Sequence, residues 1–294
     1  PRDFPPPLSS NPLLVKPMKY FYADDGEKIH LQVSGEGSPV VMLHGWTASH
    51  REWLPFIDRL IPHHQLFRWD ARGHGGHRLA TDTVPSVQRM ARDLSNLFEH
   101  YHLHDVVVVG HSLGALTLWE YVKTQGCKHL RKICIVDQSP KLLTDDSWGY
   151  GIYGDFDCER SAALLHDLEN DFAEAILRLA AMGLNARARQ KYEENAPGLQ
   201  KARDWLRAQE PKPLIACWES LLVTDFRPAL ACIDIPALLI YGGASNYYPS
   251  ETGPYVASRI ANAELHLYDG ADHSPHQGDR ERFVHDLLRF IDVA

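Results

Sequence analysis

The sequence predicts an α/β fold, a mostly parallel central sheet with helices on both faces and a helical insertion near its middle. Three observations carry this expectation. From Val40 to Val136 short β-rich runs alternate with stretches of helical spacing, the pattern of parallel strands joined by crossover helices. One of those runs is four consecutive valines, Val106–Val109, which reads as a strand buried on both faces. The alternation then stops after Val136 and resumes at Ala237, across an interval too long and too amphipathic to be a loop.

The elements follow in order. Residues 1–17 hold six prolines (Pro1, Pro5, Pro6, Pro7, Pro12 and Pro17) and read as an extended arm. A core begins at residue 18 and runs to 137. Its first strands are expected at Lys19–Ala23, Ile29–Val33 and Val40–Leu43, separated by the turn signals Asp24-Asp25-Gly26 and Gly35-Glu36-Gly37. Helical spacing at 49–60 and 85–102 flanks a short strand, Gln65–Trp69, that ends at Asp70. Val106–Val109, a helix after Ser112 and a strand at Lys132–Val136 complete this half. Residues 138–235 are expected to form a helical cap over the carboxyl edge of the sheet, with amphipathic segments at Glu159–Met182 and Glu210–Val223. The core returns over 236–294 as strand Ala237–Tyr241, helix Ser250–Ile260, strand Glu264–Tyr268 and helix Asp279–Val293. No internal repeat is visible.

Composition narrows the function classes. The 294 residues are 44% hydrophobic and 23% charged, ordinary for a soluble globular enzyme. A net charge of -8 without a Lys/Arg cluster argues against nucleic acid as a partner. The longest apolar runs are strand-length, far short of a membrane span. Five cysteines, at 127, 134, 158, 217 and 232, are odd in number and lack C-x-x-C spacing, so neither a disulfide framework nor a metal site is expected. No cofactor is expected either. A reducing, cytoplasmic setting is the default, and the start at Pro1 rather than Met leaves room for an upstream segment. The expected partner is a small-molecule substrate, with the oligomeric state open.

The chemistry centres on Gly110-His111-Ser112-Leu113-Gly114. With a strand before it and a helix after it, this run fits a nucleophile elbow, a sharp turn that exposes the serine hydroxyl. Serine is a weak nucleophile at neutral pH. It needs a base within hydrogen-bond reach and a third group to orient that base. Among 17 histidines, His273 stands in Gly270-Ala271-Asp272-His273-Ser274-Pro275 after the last predicted strand, where a loop can reach back over the sheet edge.

With His44-Gly45-Trp46 after the third strand, Asp70-x-Arg72-Gly73-His74-Gly75 after the fourth, the elbow at Ser112 and the late His273, residues 39–137 and 236–292 resemble the α/β-hydrolase fold superfamily. The likeness is to its serine esterase, lactonase and perhydrolase-like branch. It implies Ser112 as nucleophile, His273 as base, and an oxyanion hole made by the backbone N–H groups of Trp46 and Leu113. His44 is expected to brace the oxyanion loop, and Asp70, Arg72 and His74 to organise turns. The acid departs from the common pattern. Relatives usually carry an aspartate after the strand that here is Ala237–Tyr241, but Gly242-Gly243-Ala244-Ser245-Asn246-Tyr247-Tyr248-Pro249 offers no carboxylate. Asn246 is able to orient a neutral imidazole but not to stabilise an imidazolium. Asp137 lies one strand earlier, where a minority of the superfamily place the acid, and it is the expected acid here. A turn role for Asp137 at the entry to the cap stays open. Asp272, next to His273, is expected to point elsewhere.

The resemblance implies a serine hydrolase that cleaves a small to medium carboxylic ester or lactone through an acyl-enzyme. A serine at 112 argues against haloalkane dehalogenase and epoxide hydrolase chemistry, which needs a carboxylate there. A cofactor-free oxygenase or perhydrolase on the same scaffold is the alternative, with a catalytically retired ligand-binding module behind it. Trp46, Trp148, Tyr150, Tyr153 and Tyr247 are the candidate pocket residues, joined by Phe156 and Tyr248. These aromatics equally suit anchoring of the cap on the sheet.

Overall fold

The computed structural model of the protein describes residues 17–293, so the arm expected at 1–17 lies outside the described residues apart from Pro17. Eight strands form one sheet: β1 (Lys19–Tyr22), β2 (Lys28–Ser34), β3 (Ser38–Leu43), β4 (His64–Asp70), β5 (Val106–His111), β6 (Leu130–Val136), β7 (Ala237–Gly242) and β8 (Ala263–Tyr268). Their order across the sheet is β1-β2-β4-β3-β5-β6-β7-β8. Pairing is antiparallel for β1–β2 and β2–β4 and parallel at every other step. The chain steps from β3 outward to β4 and then back to β5 on the other side. The carboxyl ends of β3 and β5 therefore flank a switch point, the place where open α/β sheets bind ligands.

The two-sided burial of the central strands is visible residue by residue. Val41, Val106, Val108, Ile133, Ile135 and Leu239 belong to one apolar core. Their neighbours Val40, Val107, Val109, Cys134, Val136 and Leu238 belong to a second core on the opposite face. Successive side chains of a strand point to opposite faces, so a continuous apolar run requires cover on both. Helices supply it. On the first face lie α2 (Val87–His100) and α3 (Leu113–Gln125), the latter buried along most of its length. A 3₁₀ turn at His50–Phe56, the short α1 (Ile57–Leu60) and the C-terminal helix (Arg280–Asp292) cover the second.

Between β6 and β7 the chain forms a 3₁₀ turn at Ile152–Gly154 and helices α4 (Cys158–Asn170), α5 (Phe172–Ala181), α6 (Ala186–Glu193), α7 (Pro197–Arg207), α8 (Pro211–Leu222) and α9 (Arg227–Leu230). After β7 come α10 (Thr252–Arg259), then α11 (Pro275–Gly278) and α12 (Arg280–Asp292) beyond β8. Several expectations are corrected here. The helix expected over 49–60 begins as 3₁₀ because it contains Pro55, which has no N–H to donate. The helix expected over Glu159–Met182 is two helices, broken at Asp171 (φ -144°, ψ 85°), whose side chain caps α5 by accepting the Glu174 N–H at 3.2 Å. Helices α6 and α7 were not anticipated. Segment 186–193 buries no residue and so carries no apolar stripe, yet Asn185 at its N-cap and Pro197 at the first turn of α7 were legible start signals.

Buried charge ties β1–β2 to α2. Arg72, buried after β4, donates to Asp93 on α2 at 2.7 and 3.0 Å and to Asp25 at 2.8 and 3.0 Å. Among the described residues no helix is long and apolar enough to cross a membrane.

Candidate active site

The strand-to-helix turn at Ser112 has the geometry that the sequence requires. Ser112 has φ 52° and ψ -116°, a strained conformation for a residue with a Cβ, of the kind that costs about 1–3 kcal/mol and persists only when its surroundings enforce it. The glycines enforce it by absence. A Cβ at Gly110 would lie 2.7 Å from the Ala115 nitrogen, and one at Gly114 would lie 2.2 Å from the Leu43 carbonyl oxygen. The Ser112 N–H donates to the Val136 carbonyl at 3.2 Å, which fixes the turn against β6. Its side chain makes no capping bond to α3, so the hydroxyl is left to the cavity that it lines.

The structure brings His273 to the same cavity. His273 Nδ1 lies 2.7 Å from Asp137 Oδ2 at the end of β6. A carboxylate only accepts, so Nδ1 carries the proton and Nε2 keeps a free lone pair, the tautomer a general base needs. Asp137 is fully buried at φ 44°, with Oδ1 accepting the Gly242 N–H at 2.8 Å and Oδ2 also accepting the Ser245 hydroxyl at 2.8 Å. Burial pushes His273 below the ordinary histidine value, against the pull of the Asp137 hydrogen bond and charge. Asn246 accepts the His273 backbone N–H at 3.0 Å and donates to the Ala180 carbonyl at 2.8 Å. Its side chain therefore holds α5 and the loop that carries His273 rather than the imidazole. Asp272 turns to its own loop and accepts the Ser274 N–H at 2.9 Å.

The loop after β3 approaches Ser112 from the other side. A Cβ on Gly45 would lie 3.4 Å from the Ser112 Cβ and 3.1 Å from His111 Nδ1, so the loop packs directly on the serine turn. His44 braces it: Nδ1 donates to the Gly45 carbonyl at 2.7 Å while Nε2 accepts the Ala71 N–H at 3.0 Å. Full burial pushes His44 down, consistent with this neutral tautomer. Among the described residues the backbone N–H groups of Trp46 and Leu113 have no protein acceptor, and Leu113 opens α3, where the helix dipole favours negative charge. Two such donors suit a developing oxyanion.

The cavity has a volume of about 550 Å³. Trp46, Ile176, Leu179, Trp205, Trp218 and Tyr247 give it largely apolar walls, with Arg51, Glu52 and His111 among its polar lining. Helices α5, α7 and α8 thus close over the carboxyl edge of the sheet. Trp46 stacks on Trp218 with ring centroids 4.5 Å apart, its indole N–H donating to the Leu214 carbonyl at 2.9 Å. The Trp205 indole N–H donates to the Thr47 carbonyl at 2.8 Å, so the helices between β6 and β7 are tied to the loop after β3. Of the expected pocket aromatics, Trp46, Tyr247 and Tyr248 line the cavity. Trp148, Tyr150, Tyr153 and Phe156 do not. Trp148 and Tyr150 pack on each other and on Tyr255, while the Tyr153 hydroxyl is spent on the Leu179 carbonyl, so all three anchor chain segments instead.

Sequence reasoning missed Glu52. Its carboxylate sits behind the serine turn, with Oε2 accepting the Gly45 N–H at 2.9 Å and Oε1 lying 2.7 Å from His111 Nδ1 and 3.0 Å from His276 Nε2. Ligand-type atoms of Glu52, His111 and His276 all lie within 4.8 Å of one another. The 2.7 and 3.0 Å separations are those of an ion pair and a hydrogen bond, tighter than the ~3.3 Å between ligands around tetrahedral zinc. The only signal in the sequence was a glutamate in an otherwise apolar-periodic stretch.

Residues 40–286 match the alpha/beta hydrolase family. The chain is 29% identical to a non-heme chloroperoxidase of Kitasatospora aureofaciens, across 91% of this chain and 97% of that one. It is 26% identical to a pimeloyl-[acyl-carrier protein] methyl ester esterase of Vibrio vulnificus, across 89% and 97%. Among solved structures an esterase from Exiguobacterium antarcticum superimposes with a TM-score of 0.80 at 23% identity, covering 93% of this chain and 99% of that one.

Proposed function

The chain belongs to the alpha/beta hydrolase family, and from that premise we propose that it is a serine hydrolase cleaving a small to medium carboxylic ester or lactone through an acyl-enzyme. One observation carries the reading: a strained Ser112 and a His273–Asp137 pair at 2.7 Å line one cavity beside two backbone N–H groups without acceptors. In the proposed reaction Ser112 Oγ attacks the carbonyl carbon as His273 Nε2 takes its proton. The N–H groups of Trp46 and Leu113 hold the oxyanion, and His273 returns the proton to the leaving alcohol. Water, deprotonated by His273, then attacks the acyl carbon and frees Ser112. Asp137 stabilises the imidazolium that forms in each half. The apolar walls suit an uncharged acyl chain of moderate length, and the coverage of the cavity by α5, α7 and α8 sets its limit.

The 29% identity to a chloroperoxidase supports a second use of the same acyl-enzyme, in which hydrogen peroxide replaces water as the second nucleophile and the product is a peracid. A panel of p-nitrophenyl esters of graded acyl length, run with and without peroxide, tests both. Saturable release of p-nitrophenol, abolished in Ser112→Ala, is expected. Equal release from both proteins would overturn the reading.

A further inference from the structure

We infer that Glu52 is the positioning residue of this site, a buried carboxylate that holds the oxyanion loop, the serine turn and the base loop in one register through Gly45, His111 and His276. The inference rests on the hydrolase reading for its kinetic consequences and on geometry alone for its contacts. Glu52 comes from the 3₁₀ turn at His50–Phe56, yet each partner of its carboxylate belongs to a different segment: the loop after β3, the end of β5 and α11. Oε2 accepts the N–H of Gly45, immediately before Trp46. Oε1 faces His111, immediately before Ser112, and His276, three residues after His273. The Glu52 backbone carbonyl also accepts from the Gln277 side chain at 2.7 Å, a second tie to α11.

His111 extends the tie to the base. Its Nε2 lies 2.9 Å from the His273 carbonyl, and its Nδ1 lies 2.7 Å from Glu52 Oε1, on a line that departs from the Nδ1–H direction. The His273 carbonyl takes the Nε2 proton, and a bare Nδ1 lone pair 2.7 Å from a carboxylate oxygen would be repelled by it, so Nδ1 is protonated too and pairs with Glu52 by charge. His111 is therefore a cation, and Glu52 is its counter-ion. Burial opposes that charge, but the Glu52 charge at 2.7 Å and the His273 carbonyl outweigh it and hold His111 above the ordinary histidine value. Glu52 is correspondingly held well below the ordinary carboxylate value, against its own burial, by His111 and His276. His276, buried and with Nδ1 unpartnered among the described residues, stays neutral and is pushed down to about 4 by burial, which outweighs the Glu52 bond.

The cation has a consequence at the base. The His111 and His273 rings are 4.9 Å apart, and a neighbouring positive charge disfavours protonation of His273. The titratable groups facing His111 are Glu52, His273, His276 and Asp137. Those facing His273 are Asp137, His111, His276 and Asp272, with the rings of Tyr247 and Tyr248 set steeply to the imidazole at centroid distances of 4.6 and 5.6 Å. Removing the His111 charge leaves every other member of that set in place.

The test compares wild type with Glu52→Gln, His111→Gln and the double variant, the glutamine at 111 keeping a donor for the His273 carbonyl. Glu52→Gln is expected to lower kcat roughly 10- to 100-fold with little change in KM, as oxyanion donors and base lose their alignment. The acid limb of kcat/KM is expected to move up by about one pH unit in each single variant, with no further movement in the double variant. Long-range 1H–15N spectra are expected to show a doubly protonated imidazole at neutral pH in wild type that is missing from His111→Gln and neutral in Glu52→Gln. An unmoved acid limb in His111→Gln, or a neutral His111 in wild type, would overturn the inference. If Glu52→Gln fails to fold, those two measurements still decide it. The spectra need no turnover, so a wild-type protein without ester hydrolysis would defeat the hydrolase reading and leave this inference to be judged on the charge of His111.

Discussion

Replacing Asp137 with asparagine removes one charge and almost no volume, and its cost is computable from three contacts. Oδ2 accepts from His273 Nδ1–H and the Ser245 hydroxyl, and Oδ1 accepts from the Gly242 N–H. Asparagine has one acceptor oxygen and one donor NH2. With its oxygen toward His273, the NH2 meets the buried Gly242 N–H, a donor–donor contact worth about 1–3 kcal/mol of stability. Turned the other way, the NH2 faces His273 Nδ1 and forces the proton onto Nε2, where it blocks the uptake of a proton from Ser112. In either orientation the imidazolium loses its counter-ion. Unit charges 4 Å apart at an effective dielectric of about 20 interact by about 4 kcal/mol, so kcat is expected to fall about 10³-fold, and more where the tautomer is wrong. KM is expected to change little, because the charge pair forms only as Ser112 is deprotonated. The assay is steady-state hydrolysis of a p-nitrophenyl ester at mildly alkaline pH, with thermal unfolding to establish that the variant folds. A folded Asp137→Asn protein that keeps more than about a tenth of wild-type kcat, a loss below about 1.4 kcal/mol, would show that Asp137 is not the acid.

Further outcomes follow from the same contacts. Asn246→Asp places a carboxylate against the Ala180 carbonyl that Asn246 now donates to at 2.8 Å, so it is expected to lower unfolding stability by about 1–3 kcal/mol and not to rescue Asp137→Asn; recovery of turnover in the double variant would show that the acid is free to move. Trp218→Ala removes the ring stacked on Trp46, and a urea titration is expected to show a loss of about 3–5 kcal/mol. The enlarged cavity is expected to raise the kcat/KM ratio for octanoyl over acetyl esters, and an unchanged ratio would remove Trp218 from the acyl wall. Burial pushes His74 down to about 3 and, against the pull of Glu52, His276 down to about 4. The unfolded chain takes up protons at these residues near the ordinary histidine value while the folded chain does not, so stability rises with pH across this window and is lost as pH falls. About 1.5 units below the ordinary value each costs about 2 kcal/mol, a drop that urea midpoints at about pH 5 and about pH 7.5 should register. His111, whose value is raised, works in the opposite sense, its contribution fading as pH rises.

The parts of this molecule that repeat a local rule were legible in the sequence. Val106–Val109 announced a strand covered on both faces, and the two cores take its residues alternately. Gly110 and Gly114 announced a turn that tolerates no Cβ, and such atoms would strike the Ala115 nitrogen and the Leu43 carbonyl respectively. Asp137 and His273 were paired by position along the chain and meet at 2.7 Å. What escaped was set by tertiary contact. Trp148, Tyr150 and Tyr153 have the composition of a pocket wall, but aromatic character does not say which side of a segment faces the cavity. Helix α6 carries no apolar stripe because it buries nothing. Glu52 looked like a solvated charge, since its three partners arrive from segments 7, 59 and 224 residues away in the chain.

The central claim is that Ser112 is an activated nucleophile, and covalent capture tests it whatever the substrate. Incubation with a fluorophosphonate, followed by intact and peptide mass spectrometry, reads the adduct directly. One adduct per chain is expected, mapped to Ser112, absent from Ser112→Ala and formed far more slowly in Asp137→Asn. A folded wild-type protein that takes up no label, or takes it up elsewhere than Ser112, would show that Ser112 is not an activated nucleophile.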